Sequence, residues 1–373
     1  MATSSNPGRD SNGVGRDPNG AGRGRVIDQP EVRATVDDLL TACGADLTTR
    51  DGRLVRDLVV TALKLPTDGR DTGELKLLTN SFKELRHALR VFGEHPDSRR
   101  VSIFGSARTP EHHADYAAAL DFAELMAALG WVSITGAGDG IMKAGHEGTG
   151  PDAAFGLAIR LPFEQSTNEV IAGDPKLINF RYFFTRKTMF LSQSDAIVAL
   201  PGGFGTQDEL MEALTLIQTG KSAIVPVVLL AGADSQYWHR WDRYVREELL
   251  VGDFISPEDT NLYHLAATPT AAAEHIIAFY ANYHSSRYVG DDFVIRMQRP
   301  LRPRQVAALN DEFGSLVAEG RITQRDAYDA EQDHRGLPRV AFTHTRRQLG
   351  LVRLLIDRIN DYGGAGQPQA DRT

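Results

Sequence analysis

From Val101 onward, short apolar runs alternate with segments patterned as helices, and three of the runs end in glycine-containing turns. The runs are Val101–Phe104, Trp131–Thr135, Phe155–Ile159, Asp195–Leu200 and Ala223–Leu230. Between them lie helix-patterned stretches at Tyr116–Leu129, from Met142 to Gly148, and Thr206–Thr219. Neighbouring parallel strands need a crossover, and a helix is the usual one. The pattern therefore predicts an α/β fold, a Rossmann-like doubly wound parallel sheet. Such sheets bind ligands beyond the carboxyl ends of their strands. The three turns follow Phe104, Thr135 and Leu200, so each falls at such an end.

The flanks read differently. Residues 1–29 repeat Gly, Asn, Asp, Arg and Pro and predict a disordered tail. Residues 30–98 predict a helical N-terminal extension, in which Phe82, Leu85, Leu89 and Phe92 form an apolar stripe that packs on the next domain. Residues 99–282 hold the alternating core. Residues 283–373 hold a strand pattern, FVIRMQRPL, and a helix pattern, RRQLGLVRLLIDRIND, before ten polar residues expected to fray. This last segment reads as an accessory or oligomerisation element, and a homo-oligomer is expected.

Composition narrows the function classes. A net charge of -8 disfavours nucleic acid as the main partner. No apolar run approaches the roughly 18 residues of a membrane span, so no membrane partner and a cytoplasmic location are expected. The single cysteine, Cys43, has no intramolecular partner and reads as a small buried or half-buried side chain. The 11 histidines sit mostly near charged residues, which suggests solvated positions. Neither HExxH nor paired CxxC occurs, nor do a GxSxG elbow or a P-loop; a metal site and ATP hydrolysis are not expected.

The string PGGFGTQDE, Pro201–Glu209, carries the chemistry. Gly202, Gly203 and Gly205 let backbone N–H groups approach an anion, and a helix opening at Thr206 would add its positive end. A phosphate is the natural guest; a ligand-free turn is the plainer alternative. Glu209 fits two roles. It completes a capping box with Thr206, or, with Glu212 on the same helix face, it forms a carboxylate pair beside the phosphate site. Arg186 and Lys187 precede the loop, and both are candidate site residues, Lys187 for substrate binding; adjacent residues on a helix diverge, so the spacing alone puts one at the site and the other in solvent, unless both are solvated. Gly136 and Gly138 in GAGDG, and Gly105-Ser106, would supply further walls of the pocket.

These residues resemble the LOG (Lonely guy) family of nucleoside-monophosphate phosphoribohydrolases, in the longer bacterial branch once labelled lysine decarboxylase-like. The resemblance rests on PGGFGTQDE with IFGSAR, TGAGDGIMKAG, RLPFEQSTNEVI, FRYFFTRKTMF and ELMEALTLIQTGK, over about residues 99–282. It implies hydrolysis of the N-glycosidic bond of a nucleoside 5′-monophosphate, AMP or a cytokinin ribotide, with no cofactor. It places the catalytic arginine at Arg186 and the catalytic glutamate at Glu209. Substrate would be held by Gly202, Gly203, Gly205 and Thr206, with Glu212 at a family acidic position. Ala137 stands where the family run has a glycine, and Asp139 occupies its variable position. The rival readings are a nucleotide sensor or carrier without turnover, and a pyridoxal-phosphate decarboxylase, for which no Schiff-base lysine is evident.

Overall fold

The structure, a computed structural model, describes residues 26–96, 98–159 and 167–363. The expected tail up to residue 25, residues 160–166 of the quoted family segment and the last ten residues lie outside the described residues. Contacts divide the chain into two compact units at Asn80/Ser81.

In the first unit, α1 (Pro30–Ala42) and α2 (Arg50–Ala62) bury Val36 and Leu40 with Val60 and Ile27. Thr49 caps α2 by accepting from the Gly52 N–H, and Arg56 of α2 pairs with Asp37 of α1. Cys43 is exposed, against expectation, because it follows the last turn of α1. The division between units falls inside α3 (Thr72–Gly93). In the second unit, α3 buries Ala88, Val91 and Phe92 with Leu85 partly covered, while Phe82 and Leu89 stay exposed. The packed face is therefore rotated from the predicted stripe. Ala88 lies at its centre, where a small side chain permits a close approach.

The second unit opens with β1 (Arg100–Phe104), α4 (Ala114–Ala128), β2 (Val132–Thr135), α5 (Ile141–Thr149), β3 (Ala154–Ile159) and β4 (Leu177–Phe180). Next come α6 (Phe183–Ser192), β5 (Ala196–Ala199), α7 (Phe204–Gln218), β6 (Val227–Leu230), α8 (Tyr237–Tyr244), β7 (His264–Ala266) and α9 (Pro269–Phe279). The seven strands form one sheet in the order β4-β3-β2-β1-β5-β6-β7, every pair parallel. This is the Rossmann-like doubly wound sheet expected from the alternation. Successive side chains of a strand face opposite layers. Ile197 and Ala199 of β5 join α6 and α7 in one core, while Ala196, Val198 and Leu200 join α4, α5 and α9 in the other. Strand β6 begins only after Pro226, which has no N–H to give the ladder; its carbonyl still accepts from Ile197.

The chain continues through β8 (Tyr283–Val289), β9 (Asp292–Met297), α10 (Pro303–Phe313), β10 (Val317–Arg325), β11 (Arg339–His344) and α11 (Leu349–Gly363). The strands form a second, antiparallel sheet in the order β10-β11-β9-β8. Phe293, Ile295, Phe342, Val352 and Ile356 share one apolar core with Met189 and Leu210 of the parallel sheet's layer. The C-terminal segment is thus built into the second unit.

Helices α4 and α5 meet closely at Gly148, where an added Cβ would lie 2.5 Å from the Leu120 carbonyl oxygen and 2.7 Å from the Ala123 Cβ. Both obstacles are at or next to backbone and yield little. Gly148→Ala is expected to lower stability by about 1–3 kcal/mol, read as a fall in the thermal unfolding midpoint; an unchanged midpoint would show the helices free to separate.

Candidate functional site

Strands β1 and β5 are neighbours at the sheet's centre, and the chain winds away from them in opposite directions. A crevice opens at such a switch point, and all three glycine turns meet there. The Ser106 N–H donates to the Pro201 carbonyl at 3.1 Å, and the Ile141 N–H to the Ser106 carbonyl at 3.1 Å, which stitches the first turn to both others. A Cβ on Gly105 would lie 2.5 Å from the Ile141 side chain, and one on Gly202 2.1 Å from the Thr206 hydroxyl. Those two glycines serve close packing. The crevice holds a cleft of about 1100 Å³. Of the residues singled out from sequence, Gly105, Ser106, Gly136, Gly138, Arg186, Gly202, Gly203, Gly205, Thr206 and Glu209 line it.

The loop after β5 departs from the expected capping box. Helix α7 begins at Phe204 with Gly203 as its N-cap, so Thr206 is the third helical residue and Glu209 the sixth. Glu209 lies beyond reach of the N-cap N–H, and that structural role falls away. The first N–H groups of a helix have no partner one turn back; here those of Phe204, Gly205 and Thr206 stand at the cleft. A Cβ on Gly203 or Gly205 would meet nothing within 4 Å, and neither residue has a positive φ. Unlike Gly202, these glycines answer no packing need of the chain itself and leave room at its cleft face.

The acidic and basic candidates converge. Arg186 Nη2 donates to Glu209 Oε1 at 3.4 Å, and Lys187 Nζ lies 3.9 Å from Glu209 Oε2. Lys187 also pairs with Asp208 at 2.8 Å and Glu212 at 2.7 Å. The expected divergence of Arg186 and Lys187 into site and solvent fails, because both side chains are largely covered and turned toward α7. Two long side chains leaving α6 on adjacent bearings can both bend onto α7 when that helix is packed beside them. Lys187 and Glu212 pair with each other and are not on the cleft wall, where both were expected. Burial raises the Glu209 carboxyl above its usual range, and Arg186 and Lys187 only partly offset this. Burial works against the Lys187 ammonium, but Asp208 and Glu212 more than restore it and leave its pKa raised.

The GAGDG turn is clamped from behind. His146 is fully buried, contrary to the solvated histidines expected, and so is His344 almost entirely. His146 Nε2 lies 3.1 Å from the Phe155 carbonyl, which fixes the proton there, and 2.9 Å from Thr135 Oγ1. Its Nδ1 then accepts from Asn168 Nδ2 at 3.2 Å. Asn168 in turn donates to Gly138 O and, through its backbone, to Ala137 O. Burial lowers the His146 pKa and keeps the ring neutral. Ala137, where the family run has glycine, sits at φ 61°, a left-handed conformation that costs a non-glycine residue about 1 kcal/mol. Hydrogen bonds at both its N–H and its carbonyl hold it there.

Sequence reasoning missed several wall residues. Tyr237 of α8 donates its hydroxyl to the Gly202 carbonyl at 2.5 Å and accepts from Gln207 Nε2 at 2.8 Å. It lies 35 residues beyond Gly202 in a helix that the strand pattern left unassigned. Phe183 stands beside Arg186, with its ring centroid 5.2 Å from the guanidinium, and the Phe190 ring lies at 5.7 Å. Met142, Arg108 and Asp139 also line the cleft. The aromatic pair Phe183-Phe184 next to Arg186 was a readable signal; Tyr237 had none. Among the described residues no lysine lines the cleft, no group of three or more His, Cys, Asp or Glu is placed to hold a metal ion, and no helix is long and apolar enough to cross a membrane.

Comparison with known proteins adds the lineage. A family model described as "Possible lysine decarboxylase" matches residues 136–276, which span the second and third glycine turns and the Arg186–Glu209 pair. Rice proteins (Oryza sativa subsp. japonica) named probable cytokinin riboside 5'-monophosphate phosphoribohydrolases are also similar to part of the chain. LOGL6 is 36% identical over 95 residues, 25% of this chain and 36% of the relative. LOG4 is 29% identical over 127 residues, 33% of this chain and 54% of the relative. Over this segment the chain is similar to the LOG family. The matches span about a third to a half of the length of these LOG relatives. Among solved structures, the molybdenum cofactor binding protein from the phototrophic bacterium Rippkaea orientalis aligns with a TM-score of 0.37 at 20% identity, covering 49% of this chain and 98% of that one.

The buried carboxylate of the Arg186–Glu209 pair has a measurable cost. A folded pKa above the unfolded value means that the group's stabilising contribution is present when protonated, below about pH 4.5, and is lost as pH rises through the folded pKa. Ionised Glu209 therefore lowers stability at neutral pH. Glu209→Gln is expected to unfold at a higher temperature than the parent at pH 7–8, with the gap closing toward pH 4. A lower midpoint at pH 7 would show the ion pairs outweighing burial.

Proposed function

We propose that this protein hydrolyses the N-glycosidic bond of a nucleoside 5′-monophosphate, AMP or a cytokinin riboside 5′-monophosphate, to free base and ribose 5-phosphate. The observation that carries the reading is the buried Glu209 carboxylate, paired with Arg186, one helical turn from the open N–H groups that begin α7. The 5′-phosphate docks at that positive helix end, where Gly203 and Gly205 leave the backbone uncovered. The ribose then lies toward Glu209. As the C1′–N bond lengthens, its electron pair leaves with the base and positive charge grows on C1′ and the ring oxygen. Glu209 stabilises that charge and accepts one proton of the attacking water, whose oxygen bonds to C1′. The second water proton stays on the new hydroxyl, and the base nitrogen ends protonated as the carboxyl gives its proton up. Arg186, beside the rings of Phe183 and Phe190, keeps Glu209 ionised despite its burial and offers donors to the phosphate or the departing base. None of these steps calls for a metal or redox cofactor.

The decisive assay incubates the protein with AMP, isopentenyladenosine monophosphate, GMP, CMP and UMP and measures free base by chromatography. Release from an adenine nucleotide is expected. Glu209→Ala and Arg186→Ala are each expected to lower the rate by 10²-fold or more in a folded protein. Binding of AMP without cleavage by the parent would make this a nucleotide carrier instead. Because burial raises the Glu209 pKa, kcat/KM should fall on the acid side with an apparent pKa above 4.5, as the carboxylate takes up a proton.

Tyr237 offers a separate check. Tyr237→Phe keeps the ring on Trp238, whose centroid is 4.8 Å away, but removes both hydrogen bonds to the phosphate loop. Affinity for AMP by calorimetry should drop about tenfold, the worth of roughly one such bond, with adenosine affinity unchanged. Equal losses for both ligands would place Tyr237 away from phosphate recognition.

A further inference from the structure

Helix α6 carries Arg186 in its second turn, and it lacks a cap of its own. Its N-cap residue, Tyr182, makes no side-chain capping bond, and no acidic residue lies in its first turn. The cap comes from elsewhere. Glu84 of α3 places one carboxylate oxygen 2.9 Å from the Arg181 N–H and the other 2.7 Å from the Thr185 hydroxyl. Thr185 is the third residue of α6, fully buried, and adjoins Arg186. Glu84 thus receives two hydrogen bonds and puts a negative charge at the positive end of the helix. The contact spans about 100 residues of sequence and starts from a segment outside the matched LOG-family residues 136–276.

We propose that Glu84 is a positioning residue for the candidate active site: it caps α6 from α3 and so sets the bearing of Arg186 toward Glu209. The inference rests on the hydrolase reading for its kinetic part only. The physical reasons are three. The first turn of a helix is where fraying starts, and Arg186 is only four residues in. Glu84 binds both the backbone before α6 and a side chain inside its first turn, so it fixes the helix's start and not merely its charge. The segment of α3 that carries Glu84 is itself held, because Leu85, Ala88, Val91 and Phe92 pack into the main core, with Phe92 stacked on Phe155 of β3 at 4.5 Å. The cap is therefore anchored to the parallel sheet and can transmit a fixed position. In this reading the C-terminal half of α3 is a component of the LOG-type site that the family segment alone lacks.

The test compares the full chain with Glu84→Ala, Glu84→Gln and Thr185→Val. Hydrogen exchange of the amides at 184–187 is measured alongside kcat and KM for AMP. For Glu84→Ala, exchange in that window should rise at least fivefold with the rest of the sheet unchanged. The same variant should lose about tenfold in kcat with KM within twofold, and the two conservative variants should fall in between. Exchange rising uniformly across the chain, or an unchanged kcat in a folded Glu84→Ala, overturns the proposal. Should Glu84→Ala fail to fold, Thr185→Val decides alone: unchanged exchange at 184–187 overturns the cap. A parent without turnover on any monophosphate refutes the hydrolase reading, and the exchange measurement then tests the cap by itself.

Discussion

Glu209 is a carboxylate removed from water, and most of what surrounds the cleft can be understood as the means of keeping it ionised where it is. Burial raises its pKa, while Arg186 at 3.4 Å and Lys187 at 3.9 Å pull it back. Lys187 is in turn held by Asp208 and Glu212, so the charges form a closed group of two cations and three carboxylates across α6 and α7. An isolated buried charge would be intolerable, whereas a paired one is merely costly. Proteins accept such a cost where chemistry needs a perturbed group. The pairing demands that α6 and α7 hold their relative positions closely, which explains why the start of α6 is capped from α3 and the start of α7 is bonded from α8.

The three glycine turns divide their labour. Gly105 and Gly202 admit close approach between the turns themselves, since a methyl group at either would strike Ile141 or Thr206. Gly203 and Gly205 meet no neighbour and leave the face of the cleft open. The second turn is rigid for another reason. Ala137 sits in a left-handed conformation, held by Thr135 and Asn168, and Asn168 is itself bonded to the buried neutral ring of His146. A ring kept neutral by burial can serve as donor and acceptor at once, and both functions are used here.

How much of this was legible follows from how local each signal is. The alternation of apolar runs with helical segments predicted the parallel sheet, because period and order in a sequence survive folding unchanged. The edge strands β4 and β7 escaped because Asn179 interrupts the apolar run of the first and the second is three residues opening on His264. Helix α7 was placed two residues late, since Thr206 looks like a capping residue and Phe204, 94% exposed, does not look like a helix start. The loop PGGFGTQDE and the Arg186-Lys187 dipeptide were readable as chemistry, being contiguous strings. Their geometry was not: the two basic side chains converge on α7 although adjacent helical positions point apart.

By itself, the amino-acid sequence determined the parallel, doubly wound class of the sheet, the location of glycine-containing turns at strand ends, and the residue types available there. Those follow from hydrophobic period and from the room that glycine's missing side chain leaves, both properties of short stretches of chain. Only the tertiary structure decided that Glu209 is buried and paired, with no capping role, that Lys187 and Glu212 stand off the cleft wall, that Tyr237 reaches the cleft from 35 residues away, and that Glu84 meets the start of α6 from about 100. The reason is physical. Burial, charge pairing and helix capping by a distant side chain depend on distances across space, and sequence separation carries no information about them until the core has packed.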